Sequence, residues 1–488
     1  MNPSVLNSKL SALSCQLKAL GSQLSAMSRL SVAAAVLAIS IPAAAQPPAQ
    51  AQPPGALDPL VLPAPAAGTL VAITNANIMT ASHGNVMNGT ILIRNGKIAE
   101  VGTNVQVPPG AKVIDGRGKW ITPGIIDAHS HTANEGINEG SQSITAEVRM
   151  HDVLRQDGIS LYRQLAGGTT MVNILHGSAN TIGGQNAVAK LKFGLEVDSL
   201  RFDAAPPGIK FALGENVRQT SRPEPTRYPR SRMGVEDVLR DAFTKAKEYQ
   251  REWTEYNKVK AAFDKGPKRA GAMAPVPPKK DLELDALVEI LDGKRLVHCH
   301  SYRADEILMM LRVAKDFGFK IASFQHVLEG YKVADELAAA GAGASTFADM
   351  WGYKMEAWDA IPHNASLMAE RGVVVTINSD SDERARRLYQ EAAKAIRFGG
   401  ASEESALRMI TLNAAIQLGV DKRVGSIDVG KDADLAIFNG HPFAPASRVE
   451  MTLIEGRVFF DRNTAPTLEW LIQQMKNRPR VTSDAEGR

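Results

Sequence analysis

Through the middle of the chain, short apolar runs rich in β-branched residues alternate with stretches whose apolar positions recur every three or four residues. That alternation is the signature of parallel strands joined by crossover helices. Eight runs are predicted as strands: Gly124 to His129, Thr169 to Leu175, Ala187 to Leu191, Gly208 to Leu213, Arg295 to His300, Lys320 to Gln325, Ala342 to Phe347 and Gly372 to Asn378, the third having the weakest pattern. They predict an α/β fold, a (β/α)8 TIM barrel over residues 122–423, whose active site would lie at the C-terminal ends of the strands. Residues 218–281 read as an insertion, a charged helix from Val235 to Phe263 between Pro-rich loops, of a length that suits a lid.

The period changes towards both ends. Alternating runs at Leu70–Ile73, Gly89–Arg94 and Lys97–Val101, the last two joined by Asn95-Gly96, are matched by others at Asp434–Phe438, Val449–Ile454 and Arg457–Phe460. They predict a composite β-sandwich domain from residues 69–121 and 424–462, with a helix and charged tail over 463–488. A chain of 488 residues exceeds what one core usually holds, in keeping with two domains.

At the N-terminus, Arg29 precedes an apolar run from Leu30 to Ile41, and Ala43 and Ala45 fit a small-x-small cleavage site. Residues 1–45 therefore read as a signal peptide of an exported protein, periplasmic or secreted, with Met27 as an alternative start. The apolar run is short for a membrane span, so no stable span is expected after cleavage. Residues 46–68, rich in Pro and Ala, read as a linker. Of the formal charge of +4, Lys9, Lys18 and Arg29 would leave with the signal, so nothing points to nucleic-acid binding. Cys15 would leave too, and Cys299 alone forms no intramolecular disulfide.

The candidate chemistry sits at the strand ends. His129 and His131 are two apart on a strand and so share a face, able to grip one metal ion. Lys210 interrupts an apolar run on the fourth strand, His298 and His300 end the fifth, His326 follows the sixth, and Asp380 follows the eighth. A nitrogen and oxygen shell of this kind suits a divalent metal, with zinc the leading choice. It lowers the pKa of bound water to about 7, giving a metal-activated hydroxide for which Asp380 would be the general base. His176, Tyr302, Arg303, Tyr353 and Arg384, with Trp351 and Lys354, fall in loops at the same rim and are candidate substrate-binding residues. Their cations suggest a small-molecule substrate bearing a carboxylate.

The ordered set of His129-x-His131, Lys210, His300, His326 and Asp380, together with Gly425-Ser426-Ile427-Asp428-Val429-Gly430-Lys431-Asp432-Ala433-Asp434-Leu435, closely resembles the metal-dependent amidohydrolase superfamily. The likeness extends from about Leu70 to Phe460 and is greatest to the imidazolonepropionase-related and exported peptidase-like branches. The resemblance implies hydrolysis of a C–N bond of an amide, cyclic amide or small peptide, with a deaminase or deacetylase on the same site as alternatives, and an inactive metal-loaded binding protein as a third. It further implies that His129 and His131 bind one metal, His300 and His326 a second, and that Asp380 is both ligand and base. Lys210 resembles the lysine that binuclear members carry as N6-carboxylysine bridging two ions; unmodified, it would leave a one-metal site, and Glu215 is an alternative bridging carboxylate. The sequence leaves a homo-oligomer open.

Overall fold

The computed structural model describes residues 69–218, 227–267 and 273–465. The signal peptide, the linker and most of the C-terminal segment from Asn463 onward lie outside the described residues. Five strands open the chain: β1 (Leu70–Met79), β2 (Asn85–Arg94), β3 (Lys97–Gly102), β4 (Lys112–Asp115) and β5 (Trp120–Pro123). Nine occupy the centre: β6 (Ile125–Ser130), β7 (Thr169–Ile174), β8 (Ile182–Gln185), β9 (Ala187–Lys190), β10 (Gly208–Ala212), β11 (Leu296–Ser301), β12 (Ile321–His326), β13 (Gly343–Thr346) and β14 (Val375–Ile377). Three close it: β15 (Leu435–Phe438), β16 (Val449–Ile454) and β17 (Arg457–Asp461).

Both chain ends build one eight-stranded sheet in the order β17-β16-β15-β5-β1-β2-β3, with β4 also paired to β1. The seam between the two ends is the antiparallel pairing of β5 with β15, Ile121 opposite Ile437. Ile73, Ile78, Ile91, Ile121, Leu435 and Leu453 fill the core of this sheet.

The central strands form a six-stranded sheet, β14-β13-β12-β11-β10-β8, and a three-stranded sheet, β6-β7-β9. From β10 to β14 every neighbour is parallel, and β6 pairs parallel with β7. Residues of β6, β7 and β10 are buried on both faces, which is why their sequences read as unbroken runs and not as alternations. Past the end of β14, the Asp380 amide donates to the His129 carbonyl of β6 at 3.0 Å, so the two sheets meet there.

The predicted third strand requires correction. The chain there makes two short strands, and both run against their neighbours: β9 is antiparallel to β7, and β8 to β10. A parallel neighbour needs a crossover of a dozen or more residues that usually carries a helix, and residues 175–186 between β7 and β9 hold only loop and β8, so β9 returns antiparallel. The insertion helix, predicted from Val235, begins at Arg232 and continues to Lys265, capped by the Ser231 hydroxyl accepting from the Gly234 amide.

A buried ion cluster joins β9 to the C-terminal strands. Lys190, 1% exposed, places Nζ 2.8 Å from Asp432, 3.0 Å from Asp434 and 3.0 Å from Glu455. Lys97 and Arg423 reach Asp432 at 2.8 and 2.9 Å, and Lys192 reaches Glu455 at 2.9 Å. Burial would lower the Lys190 pKa, but the three carboxylates outweigh it and raise it above the ordinary lysine range. Burial would likewise raise that of Asp432; Lys190, Arg423 and Lys97 together carry it down to about 2. The two aspartates of Gly430-Lys431-Asp432-Ala433-Asp434 thus hold a lysine that the primary structure places more than two hundred positions away.

Replacing Lys190 with Met leaves three carboxylates facing one another and is expected to destabilise the protein by about 3–5 kcal/mol, read as a lowered midpoint in thermal unfolding. Because the folded pKa of Asp432 is depressed, its contribution is complete above the ordinary carboxylate range near 4 and is lost as pH falls towards 2. Wild-type stability should decline over that acid interval, and the decline should be smaller in Lys190→Met, where the folded pKa of Asp432 is no longer held down by that cation.

Candidate metal centre

Parallel register brings the strand-end residues to one level. Lys210 of β10 lies opposite His298 of β11, and Ala212 opposite His300. Ser301 of β11 lies opposite His326 of β12, which in turn lies opposite Thr346 of β13. His129, Lys210, His298, His300 and His326 are all buried.

The side chains of His129, His131 and His326 converge on Asp380. Its carboxylate lies 2.9 Å from His131 Nε2, 3.3 Å from His129 Nε2 and 3.9 Å from His326 Nε2. Lys210 Nζ stands 3.2 Å from His129 Nε2. Ligand atoms of His129, His326 and Asp380 all fall within 4.8 Å of one another. The His300 ring packs 4.5 Å from that of His326. Its Nδ1 bonds the Ser178 hydroxyl at 2.8 Å, while its Nε2 is buried without a hydrogen-bond partner.

The tautomer of His131 makes the electrostatics explicit. Its Nδ1 lies 3.1 Å from the Leu175 carbonyl, an acceptor, so Nδ1 carries the hydrogen. In the neutral ring, Nε2 then presents a lone pair to the Asp380 carboxylate. Burial holds His129 and His300 well below the usual imidazole range, and Lys210 and the other imidazoles push the same way; His326 is lowered to about 3, again chiefly by burial. Burial would raise Asp380, yet the His131 contact and the charges of His326, His131 and Lys210 bring it down to about 2. Neutral imidazoles around an ionised carboxylate make a donor set that fits a divalent cation of the zinc type. The residues that would hold it are His129, His131, His300, His326 and Asp380, with Lys210 between the imidazoles and the interior.

Two of these residues stand on unusual backbone. His326 has φ 75° and Asp380 φ 45°, left-handed values that non-glycine residues seldom adopt. Such conformations persist only where the surroundings enforce them, and they gather at functional sites. For Asp380 the restraint is visible: the buried Asp127 carboxylate accepts from the Ser379 amide and hydroxyl and from the His129 amide. Burial raises Asp127 to about 7, against the pull of those hydrogen bonds. Asp127 thus positions the turn bearing Asp380 against the strand bearing His129 and His131.

The other sequence candidates separate. Tyr302 stacks on His326 with centroids 5.2 Å apart, and its hydroxyl accepts from that of Tyr353 at 2.6 Å. Arg384 contacts the Phe347 ring, which itself stacks on His326. His176, in contrast, has both ring nitrogens engaged by backbone, Nδ1 with the Gly177 carbonyl and Nε2 accepting from the Glu139 amide. The glycines at 183 and 184 make room for that ring: a Cβ at Gly183 would lie 2.7 Å from His176 Nδ1. Arg303 pairs with Asp305 at the start of the following helix. Glu215 pairs with Lys354, whose Nζ lies 4.2 Å from the centre of the Tyr302 ring. His298, opposite Lys210 on the neighbouring strand, keeps Nδ1 on the Ser323 hydroxyl. Trp351 is exposed, its ring near Phe398. The insertion is anchored beside this rim, where Arg232 joins the buried Glu306 and Glu356, and Glu356 accepts from the Glu215 amide. Sequence reasoning did not find Ser178 or Ser379, since a serine that orients another group carries no signal of its own.

Comparison with known proteins places this arrangement in context. A model of the Amidohydrolase family matches residues 120–461. The chain is 30% identical over 399 residues to amidohydrolase tasK of Hapsidospora irregularis, covering 76% of this chain and only 40% of that protein's length. An imidazolonepropionase of Thermoplasma acidophilum is 23% identical over 77% of this chain and 90% of its own. The crystal structure of an amidohydrolase from Thermotoga maritima MSB8 superposes with a TM-score of 0.71 at 32% identity, covering 80% of this chain and all of that one.

If Asp127 positions the ligands, Asp127→Ala should weaken zinc binding about 10- to 100-fold in competition with a chromophoric chelator. Unchanged affinity would contradict that role.

Proposed function

This chain belongs to the amidohydrolase family, and on that premise we propose that it is a metal-dependent hydrolase of a carbon–nitrogen bond in an amide, cyclic amide or small peptide. The observation that carries the reading is His131 Nε2 set 2.9 Å from the Asp380 carboxylate, with its Nδ1 on the Leu175 carbonyl, beside the buried imidazoles of His129, His300 and His326. We read the two central sheets as arcs of one closed barrel, supported by the hydrogen bonds of Asp380 and Ser379 to β6. Among the described residues no helix is long and apolar enough to cross a membrane. We retain export as part of the proposal on the strength of the N-terminal signal pattern.

A divalent ion held by His129, His131, His300, His326 and Asp380 would supply the Lewis acidity that polarises a carbonyl and readies water for attack. The protein's own groups do the rest. Asp380, ionised far below neutrality, accepts a proton from the attacking water as its oxygen bonds the carbonyl carbon. When the C–N bond breaks, the same proton passes from Asp380 to the departing nitrogen. Tyr302, stacked on His326 with its hydroxyl held by Tyr353, is placed to donate a hydrogen bond to the carbonyl oxygen. Lys210 is lowered to about 8 by burial, against the pull of Asp380. A good fraction of it is therefore neutral near physiological pH and able to add to carbon dioxide with loss of a proton. The resulting carbamate would turn an interior cation into an anionic ligand.

Metal-free and zinc-reconstituted protein should be screened against dipeptides, N-acyl amino acids, cyclic ureides and aminated heterocycles. Release of an amine from an amide or lactam, abolished by chelation and restored by zinc, is the expected result; no turnover anywhere in the panel overturns the reading, and turnover of the heterocycles alone redirects it to deamination. Asp380→Asn should lower kcat by about 10²- to 10⁴-fold. Lys210→Ala should halve the zinc retained per chain if the carbamate bridges two ions, and unchanged stoichiometry would exclude the bridge.

A further inference from the structure

The mouth of the site is ringed with cations, and nearly all of them are already neutralised. Lys354 pairs with Glu215 at 3.2 Å and Glu356 at 3.6 Å; Arg232 pairs with Glu306 and Glu356; Arg303 pairs with Asp305. Further along the same loop, Arg386 pairs with Glu383 and Arg387 with Glu391. Arg384 differs. No carboxylate of the described residues pairs with it, although acidic residues flank its own turn.

What Arg384 does touch locates it. One terminal nitrogen lies 3.4 Å from the carbonyl of Ser379, the residue that precedes the candidate base. Its guanidinium carbon lies 5.7 Å from the centre of the Phe347 ring, and Phe347 stacks 4.8 Å from His326. Its Nε is buried and has no hydrogen-bond partner. A guanidinium has five donors in a planar fork suited to a carboxylate; here one terminal nitrogen also meets the Met350 sulfur, Nε is unpartnered, and a partly buried guanidinium with no counter-ion is unfavourable by itself. Aromatic contact, a backbone carbonyl close to Asp380 and open donors together describe half of an ion pair.

We infer that Arg384 is the specificity-determining residue for a substrate carboxylate located close to the scissile bond, so that the preferred substrates are N-acyl amino acids or dipeptides cleaved at the nitrogen of the residue that bears the free carboxylate. This rests on the hydrolase reading above and narrows it. Neutral cyclic amides and carboxamides would leave the guanidinium unpaired beside the reacting centre, whereas a carboxylate would fill its fork in a bidentate pair. Discrimination follows from what the neutral substrate leaves unsatisfied as much as from what the acid gains.

The test compares zinc-loaded wild type, Arg384→Met and Arg384→Lys on N-acetyl amino acids and Ala-Xaa dipeptides, each beside its own carboxamide, with neutral lactams included. Wild type should prefer each acid over its carboxamide in kcat/KM by about 10- to 100-fold. In Arg384→Met that ratio should collapse towards one, mainly through KM for the acid. Arg384→Lys should recover part of it, since an ammonium restores the charge but not the fork. Zinc content and thermal midpoint establish that each variant is folded and loaded. Equal wild-type rates on acids and carboxamides, or hydrolysis of neutral lactams alone, overturn the carboxylate assignment and leave the hydrolase reading standing. Loss of acid and carboxamide turnover in equal proportion in Arg384→Met also overturns it. Absence of C–N cleavage on every compound overturns both.

Discussion

Like-signed electron density is brought face to face in the interior of this protein, and the rest of the site follows from that. His131 has one nitrogen pinned to a backbone carbonyl, so its ring when neutral can only offer a lone pair to what lies beyond, and what lies beyond is a carboxylate. In a low-dielectric interior such an encounter is repulsive unless positive charge stands between the partners. Lys210 answers part of this need from below. A divalent ion held there would answer the remainder, and His326 and Asp380, both on left-handed backbone, would present their donors to it.

That arrangement depends on supports which do not themselves react. Asp127 gathers two amides and a hydroxyl at the seam where β14 meets β6, so Asp380 and the first two imidazoles share one anchor. Ser178 orients His300. On the far side of β9, Lys190 fixes the central strands to the C-terminal ones through three carboxylates. The geometry at the strand ends therefore rests on packing well outside the circle of reacting groups.

Much of this was legible in the primary structure, and for definable reasons. His129 and His131 could be assigned to one face because strands have a period of two, and His300, His326 and Asp380 stood out because each follows a run too apolar to lie anywhere but inside. Failures arose where the decisive partner is distant in sequence or where loop length overrides pattern. Ala187–Lys190 has a strand's composition, but the lack of a crossover helix in residues 175–186, not its own side chains, sets its direction. His176 resembled a rim ligand until both its nitrogens proved to be held by backbone. Lys190 and Arg384 look alike in sequence as single cations, and only the fold separates the one wrapped in carboxylates from the one without any.

The sheet shared by the two chain ends bears on how the molecule is made. β5 pairs with β1 on one side, but its other edge is covered only by β15, roughly three hundred residues later, so during synthesis that edge remains unpaired for on the order of tens of seconds. Exposed strand edges invite pairing with other chains. Ribosome-bound intermediates of this protein should therefore need a chaperone to shield that edge, and any truncation before Leu435 would leave it permanently open to aggregation.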